Sequence, residues 1–231
     1  MKRIKVLTSV AAAALLIGIP RFIWSQKAID STDILNRPSE GVQLSNATTP
    51  DILAQALTNA GVPGGIAVRS NCGVLEHRFL SPSKKTLRGV LDAVSSADPE
   101  YSWNVDHGVV NFVSRDDEPR LLKTIVSKLE VSSAEPNEAL SQLLALPEVA
   151  KAAGGELGFQ TVTGGPYAFM MDGSKPERQK VSLSLTNVTV REALNAIART
   201  HGTAVWILVR QDDCGPNHAR KFFDLHFISR L

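Results

Sequence analysis

Apolar residues recur at helical spacing in two segments of the chain, and both patterns predict amphipathic helices. The face of the later segment comprises Val190, Ala193, Leu194, Ile197 and Ala198. The face of the earlier segment comprises Leu87, Val90, Leu91 and Val94. Thr189 and Glu192 have the spacing of a capping box at the start of the later helix. In the earlier segment Thr86 can cap, but Gly89 stands where the acid would be, so we expect a weaker helix start.

The two helices belong to an internal repeat. The segment Thr86 to Trp103, "TLRGVLDAVSSADPEYSW", aligns without a gap on Thr189 to Trp206, "TVREALNAIARTHGTAVW", at an offset of 103 residues. Further on, "NFVSR" aligns on "HFISR" at an offset of 115 residues. The second copy has therefore gained twelve residues around "RQDDCGPNHARK".

Each copy reads as a β-α-β-β-α-β-β module in an α+β fold, with a small sheet packed against two helices. We place the first module at residues 40–115, a linker at 116–123 that begins in the charged run "RDDEPR", and the second module at 124–231. Inserts fall at 163–178 and 210–221 in the second module. In the first module, "GVQLS" is the candidate first strand, followed by a helix that Thr49 caps and Gly61 closes.

The two copies differ in the strand that follows the repeated helix. "YSWNV" alternates between apolar and polar residues, as a half-buried strand does, and Gly108 supplies the turn after it. "AVWILV" is apolar throughout, so both of its faces should be covered by the first copy, by the insert, or by another protein chain. Trp103 and Trp206 occupy equivalent positions, and we expect inward-facing core residues in preference to a binding site.

The N-terminus changes the meaning of the net charge. The chain is 43% hydrophobic and 21% charged, with a formal charge of +2, but its first 26 residues hold four basic residues and no acid. They read as an export signal, or as an uncleaved anchor over residues 6–24, and place the protein in the bacterial periplasm or outside the cell. The remaining chain carries a formal charge of −2. This balance argues against nucleic-acid binding.

The candidate chemistry is sparse. Cys72 and Cys214 could form a disulfide in an oxidising compartment, or remain two thiols in loops. The five histidines do not cluster, and "DDCGPNH" at Asp212 to His218 fits a turn or a disulfide anchor better than a metal site. "NAT" at Asn46 and "NVT" at Asn187 match a glycosylation acceptor. We assign no catalytic, cofactor-binding or metal-binding residue, and expect a protein that is not an enzyme.

The long insert of the second module provides a candidate partner surface. Its adaptable apolar residues are Tyr167, Phe169, Met170 and Met171.

The segment "VSLSLTNVTVREALNAIARTHGTAVW" and, more loosely, residues 42 to 114 resemble the short N-terminal (STN) domain shared by secretins and TonB-dependent receptors. Both copies depart from that family's glycine-rich ending of the second helix. The resemblance implies a periplasmic docking module that pairs with other proteins through a sheet edge or a groove, and it implies no catalytic residue.

The expected function is therefore non-catalytic docking to other cell-envelope proteins, or self-association. The alternative is a periplasmic sensor that binds a small ligand or a glycan in the cleft between the modules. An envelope enzyme with a site assembled across both modules is a third hypothesis.

Overall fold

The computed structural model describes residues 31–42, 45–71, 75–82, 84–153, 179–214 and 220–229. Its helices are α1 (Ser31–Leu35), α2 (Thr49–Ala60), α3 (Leu87–Ala97), α4 (Arg120–Lys123), α5 (Pro136–Leu144), α6 (Pro147–Ala152) and α7 (Val190–His201). Its strands are β1 (Ser45–Thr48), β2 (Gly64–Asn71), β3 (His77–Phe79), β4 (Tyr101–Asp106), β5 (Val109–Ser114), β6 (Ile125–Ala134), β7 (Val181–Thr189), β8 (Val205–Cys214) and β9 (Arg220–Ile228).

The predicted α+β class is confirmed. In the first copy, the order β1-α2-β2-β3-α3-β4-β5 matches the predicted module, with the short helix α1 before it. The first strand lies later than expected, at Ser45–Thr48, directly before α2. Thr48 is consequently the N-cap residue of α2, and the assignment of that cap to Thr49 is wrong. Gly61 closes α2 with a left-handed φ of 61°, as predicted.

The largest sheet is shared between the two copies. Its strand order is β4-β5-β2-β8-β9, and two smaller sheets pair β1 with β3 and β6 with β7. Strand β2 pairs in parallel with β5 only from Gly64 to Ile66, but with β8 over its whole length, from Gly64 to Asn71. Most of the pairing of β2 is therefore with the second copy, although β2 belongs to the first. The residue boundaries of the two modules stay a prediction.

The helices of the two copies pack on opposite faces of this sheet. One core joins α2 and α3 to Ile66, Phe112 and Ile207, and the other joins α5 and α7 to Leu208 and Phe227. The alternation of side chains along β8 sends successive residues into different cores. The prediction that "AVWILV" is covered on both faces is confirmed, and the first copy provides one of the covers.

The insert predicted at 210–221 is not wholly a loop. Its first residues, Arg210 to Cys214, continue β8 and pair with β2 and β9. The repeated hairpin is accordingly longer in the second copy, where β8 has 10 residues against 6 in β4. This extension brings Arg210 and Asp212 beside the end of β2.

The two equivalent tryptophans have different environments. Trp206 is fully buried, and its indole N–H donates to Asn195 Oδ1 at 2.9 Å. Trp103 makes the matching bond to Asp92 Oδ1 at 3.1 Å, but it is only partly buried and the Arg88 guanidinium lies 5.4 Å from its ring centroid. The core prediction is confirmed for Trp206. Trp103 also packs against a core, as expected, but it is only partly buried, because β4 lies at the end of the sheet whereas β8 lies inside it.

Gly65 makes room for Trp206. The two residues are paired between β2 and β8, and a Cβ atom on Gly65 would lie 2.1 Å from Cε2 of the indole. Such a separation is far inside van der Waals contact. A glycine is therefore required at this position for the two copies to share one sheet.

We expect Gly65→Ala to destabilise the protein by about 2 kcal/mol through overpacking. Trp206→Phe should relieve the clash, so that the double variant is more stable than the sum of the two single changes predicts. Urea unfolding of the four proteins measures this coupling. Trp103→Phe is the matched control and should cost less than Trp206→Phe; additive costs for Gly65→Ala and Trp206→Phe would contradict the steric interpretation.

The starts of the repeated helices differ in strength as predicted. Thr189 Oγ1 accepts from the Glu192 N–H at 3.1 Å, and the Glu192 carboxylate accepts from the Thr189 N–H at 2.6 Å. Thr86 Oγ1 accepts only a long bond, 3.3 Å, from the Gly89 N–H. A Cβ on Gly89 would lie 2.2 Å from the carbonyl oxygen of Lys84, so the approach of that backbone excludes the acid that would complete the box.

Thr189→Ala should therefore cost about 1 kcal/mol of unfolding free energy, and Thr86→Ala about half as much.

The bonds from Thr189 hold the pKa of Glu192 below its ordinary value of 4.5. The free energy of unfolding that the ionised Glu192 adds is fully present above about pH 4.5 and is lost as the pH falls through the lowered folded-state pKa. Thermal unfolding of wild type and Glu192→Gln between pH 2 and 7 checks the sign: their stabilities should converge at low pH, and a constant gap would contradict the linkage.

The connection between the copies is tethered to both of them. Its charged run is largely exposed, as expected for a linker, but Asp117 pairs with Arg69 of the first copy at 4.0 Å and with Arg210 of the second. Glu118 pairs with Arg191 of the second copy at 2.6 Å. The unpredicted helix α4 follows and buries Leu121 and Leu122. Residues 116–123 are thus part of the packed structure.

Several predictions lie outside the described residues. They concern the export signal at 1–26, Cys72, the side chain of Cys214, and the apolar residues Tyr167, Phe169, Met170 and Met171 in the insert 163–178. The disulfide and the insert surface therefore stay predictions. Within the described ranges, no helix has the length and apolar character needed to cross a membrane.

Candidate functional site

A cleft opens at the carboxyl ends of the parallel strands β5, β2 and β8. It exists because β5 stops pairing with β2 at Ile66, whereas β8 follows β2 to Asn71. The Tyr101 hydroxyl enters the gap and accepts from the Arg69 N–H at 3.0 Å. Two adjoining hollows of about 370 and 220 Å³ flank this contact. Such a crevice at the carboxyl ends of strands is where open α/β sheets commonly bind ligands.

Two arginines and two aspartates from both copies and the linker form an ion cluster in the cleft. Arg69 and Arg210 are paired in β2 and β8, so their positive charges lie close together. Asp212 accepts from Arg69 Nε at 2.7 Å and from Arg210 Nη2 at 3.1 Å. Asp117 bonds to Arg210 and raises the pKa of that guanidinium. The side chain of Asp212 is 8% exposed and that of Asp117 58%, so Asp212 is the buried centre of the cluster.

A second charged group, of one arginine and two acids, lies at the other end of the cleft. Arg78 bonds to Asp98 at 3.3 Å and to Glu76 at 3.0 Å. Burial, together with the nearby Glu100 and Glu76 carboxylates, raises the pKa of Asp98, although Arg78 acts to lower it. Burial also raises the pKa of the Tyr101 hydroxyl, which therefore stays protonated. The polar groups of the cleft converge, and most of them already bind one another.

Asp212→Asn should destabilise the protein by about 2 kcal/mol, because it leaves two adjacent guanidinium groups with a neutral acceptor. Asp117→Asn should cost about 0.5 kcal/mol, since solvent and salt screen its exposed pair. The exposed neighbour Asp116 gives the matched control, Asp116→Asn, with an effect near zero. Urea unfolding at 0.05 and 0.5 M NaCl checks the order; equal costs for Asp212→Asn and Asp116→Asn would exclude a central role for the cluster.

The histidines do not assemble into a site within the part of the chain that the structure describes. His201 ends α7 in a buried position that lowers the pKa of its imidazole, and His107 lies in the β4–β5 turn. His77 contacts the Asn46 carbonyl at 3.1 Å, and His226 contacts Asp224 at 3.3 Å. No group of three His, Cys, Asp or Glu side chains suited to a metal ion occurs among the described residues.

The two glycosylation motifs coincide with helix starts. Asn46 and Asn187 are exposed, with left-handed φ values of 55° and 54°. In both motifs the threonine, Thr48 or Thr189, is the N-cap residue of the helix that follows. Asn tolerates the left-handed conformation. The two motifs thus have a structural explanation.

Strand β4 forms one end of the central sheet and pairs only with β5 in the described structure. The Arg115 N–H donates to the Glu100 carbonyl at 2.9 Å, which fixes the antiparallel alternation. Consequently the backbone groups of Tyr101, Trp103 and Val105 point away from β5. Those of Tyr101 bond to the Asp98 carbonyl and to Arg115 Nε. The backbone groups of Trp103 and Val105 face no strand of the described structure.

The opposite end of the sheet is covered at Phe227. The side-chain amide of Asn137, near the start of α5, donates to the Phe227 carbonyl at 3.0 Å and accepts from the Phe227 N–H at 2.8 Å. Asn137 thereby occupies the outer backbone groups of this residue of β9 as a neighbouring strand would. Sequence reasoning did not single out Asn137, because its position beside Pro136 at a helix start carries no sign of a distant strand.

No protein-family model, no curated protein and no solved structure matches this chain. The resemblance to the STN domain therefore stays a prediction. The candidate sites that the described residues offer are the polar cleft and the open edge of β4.

Proposed function

We propose that the protein is a non-catalytic docking protein of the bacterial cell envelope and that it binds a partner polypeptide along the outer edge of β4. The observation that carries the proposal is the internal repeat. The strand equivalent to β4 is β8, and the same edge of β8 holds the added strand β2. The chain thus contains an example of the interaction that we propose for β4.

The equivalence extends to the direction of the backbone groups. The Gly64 N–H donates to the Ala204 carbonyl at 3.2 Å, so Ala204 and, two residues later, Trp206 direct their backbone groups toward β2. Trp103 is equivalent to Trp206, and its backbone groups point outward from β4 in the same way. An added strand would complete at β4 the ladder that β2 completes at β8.

The two ends of the sheet also differ in how far their outer backbone groups are covered, as we expect if one end is a docking edge. Natural sheets usually block their edges because unpaired strands attract other chains. In this protein Asn137 covers the outer edge of β9 at Phe227. Strand β4 instead presents Trp103, a large side chain that is only partly buried.

Val105→Pro tests docking, because proline removes the outward N–H while the rest of the edge remains. A photoreactive residue at Asn104 in the full chain should cross-link to an envelope protein in producing cells. We expect Val105→Pro to abolish this cross-link, whereas Val105→Thr, which keeps the N–H, should retain it. Amide exchange supplies a second measurement: the Trp103 and Val105 amides of the free protein should exchange at least tenfold faster than those of Ser102 and Asn104.

A cross-link that persists in Val105→Pro, or slow exchange of the Trp103 and Val105 amides in the free protein, would overturn docking at this edge. Slow exchange would mean that other groups already occupy the backbone of β4, whereas a persistent cross-link would mean that the partner does not bind through this backbone.

The small-ligand hypothesis is the second candidate, and the cleft between the copies is the observation in its favour. The cleft gathers Arg69 from the first copy, Asp117 from the linker, and Asp212 from the second. It ranks lower because these groups neutralise one another. Amide shifts at Arg69 and Tyr101, without shifts at Trp103, would identify a compound that binds in the cleft.

A further inference from the structure

We infer that the segment bound by β4 is an extended strand that runs parallel to β4 and carries a glycine opposite Trp103. This inference rests on the proposed docking function and specifies its partner. It follows from the pairing of β2 with β8, in which Gly65 stands opposite Trp206. The chemistry of the partner can therefore be derived from the strand that the repeat already binds.

The requirement for glycine comes from the tryptophan. A Cβ on Gly65 would lie between 2.1 and 2.5 Å from three atoms of the Trp206 indole, so the ring lies directly over the glycine backbone. The bond from the indole N–H to residue 195 orients that ring. Trp103 makes the same bond to Asp92, at the equivalent place on its own helix. The Trp103 ring should accordingly cover the same position of an added strand.

The two faces of β4 define the rest of the pattern. In β8 both faces are apolar, and the paired residues of β2 that follow the glycine are Ile66 and Ala67. In β4, Asn104 is exposed where β8 has a buried isoleucine, whereas Val105 packs against the core. The partner strand should therefore read glycine, a polar residue opposite Asn104, and a small apolar residue opposite Val105.

We assign the strand to a different polypeptide, because the strand that lies against Trp206 within this chain is not available. That strand, β2, is held between β5 and β8. Releasing it would expose both cores of the molecule, because Ile66 and Ala67 are buried in different ones. A second folded copy consequently cannot donate its β2.

Two synthetic peptides test the inference on the full 231-residue chain. The first is acetylated and amidated Ser-Gly-Thr-Ala-Thr-Lys, and the matched control has valine in place of glycine. Titration is followed by NMR through the Trp103 indole N–H and the Trp103 and Val105 amides. We expect the glycine peptide to shift these signals and to slow amide exchange, and the valine peptide to bind at least tenfold more weakly.

Trp103→Ala should bind both peptides with affinities that differ by less than twofold, because the ring that excludes a side chain is gone. The measured quantity is the ratio of the affinities of this variant for the two peptides. A general weakening of binding lowers both affinities and therefore would not by itself remove the preference for glycine. Trp103→Phe, which keeps an aromatic ring, should retain part of the preference for glycine.

Equal binding of the two peptides by the wild type would overturn the glycine requirement and leave docking intact. Binding of neither peptide, together with a cross-link sensitive to Val105→Pro, would also overturn the strand pattern alone. A cross-link insensitive to Val105→Pro would overturn docking itself. Self-association in sedimentation that Val105→Pro abolishes would overturn the assignment to a different polypeptide.

Discussion

The close approach of Trp206 to Gly65 is the contact on which the rest of the structure depends. It allows β2 of the first copy to pair with β8 of the second along its whole length. That pairing places the helices of the two copies on opposite faces of one sheet, so each copy covers a face of the other's strands. The apolar sequence of β8 is a consequence, because only a strand inside a sheet with helices on both faces is buried on both sides.

The same pairing gives the sheet two unlike ends. In the first copy, β5 pairs with β2 at Phe112. At the equivalent residue of the second copy, Phe227 in β9, the backbone instead bonds to the side chain of Asn137. Strand β4 has neither kind of cover in the described structure. The two copies therefore expose different surfaces although their folds are alike. The edge that β8 uses to bind β2 within the chain stays open on the equivalent strand, β4. This asymmetry is the basis of the docking proposal.

The cleft has a related origin. Strand β2 cannot follow both neighbours, and it follows β8 after leaving β5 at Ile66. The gap is lined by charged residues from both copies, and extension of the β8–β9 hairpin supplies Arg210 and Asp212. The ion cluster joins the two copies and the linker through charge pairs and neutralises most of the charge that a ligand would otherwise meet. Its composition thus favours a structural role over binding.

Comparison of the sequence with itself identified the repeat. Local patterns determined the amphipathic helices α3 and α7, the stronger cap at Thr189, and the turn at Gly108, whose φ is 81°. These features depend on residues a few positions apart, so periodicity and turn chemistry suffice to predict them. Tertiary structure alone decided that the copies share a sheet, that Trp206 is fully buried while Trp103 is only partly buried, and that Asn137 covers Phe227 at the edge of β9. Each of these depends on which distant strands become neighbours. Spacing along the chain does not specify that choice, because it is made by the fit of side chains such as glycine against tryptophan.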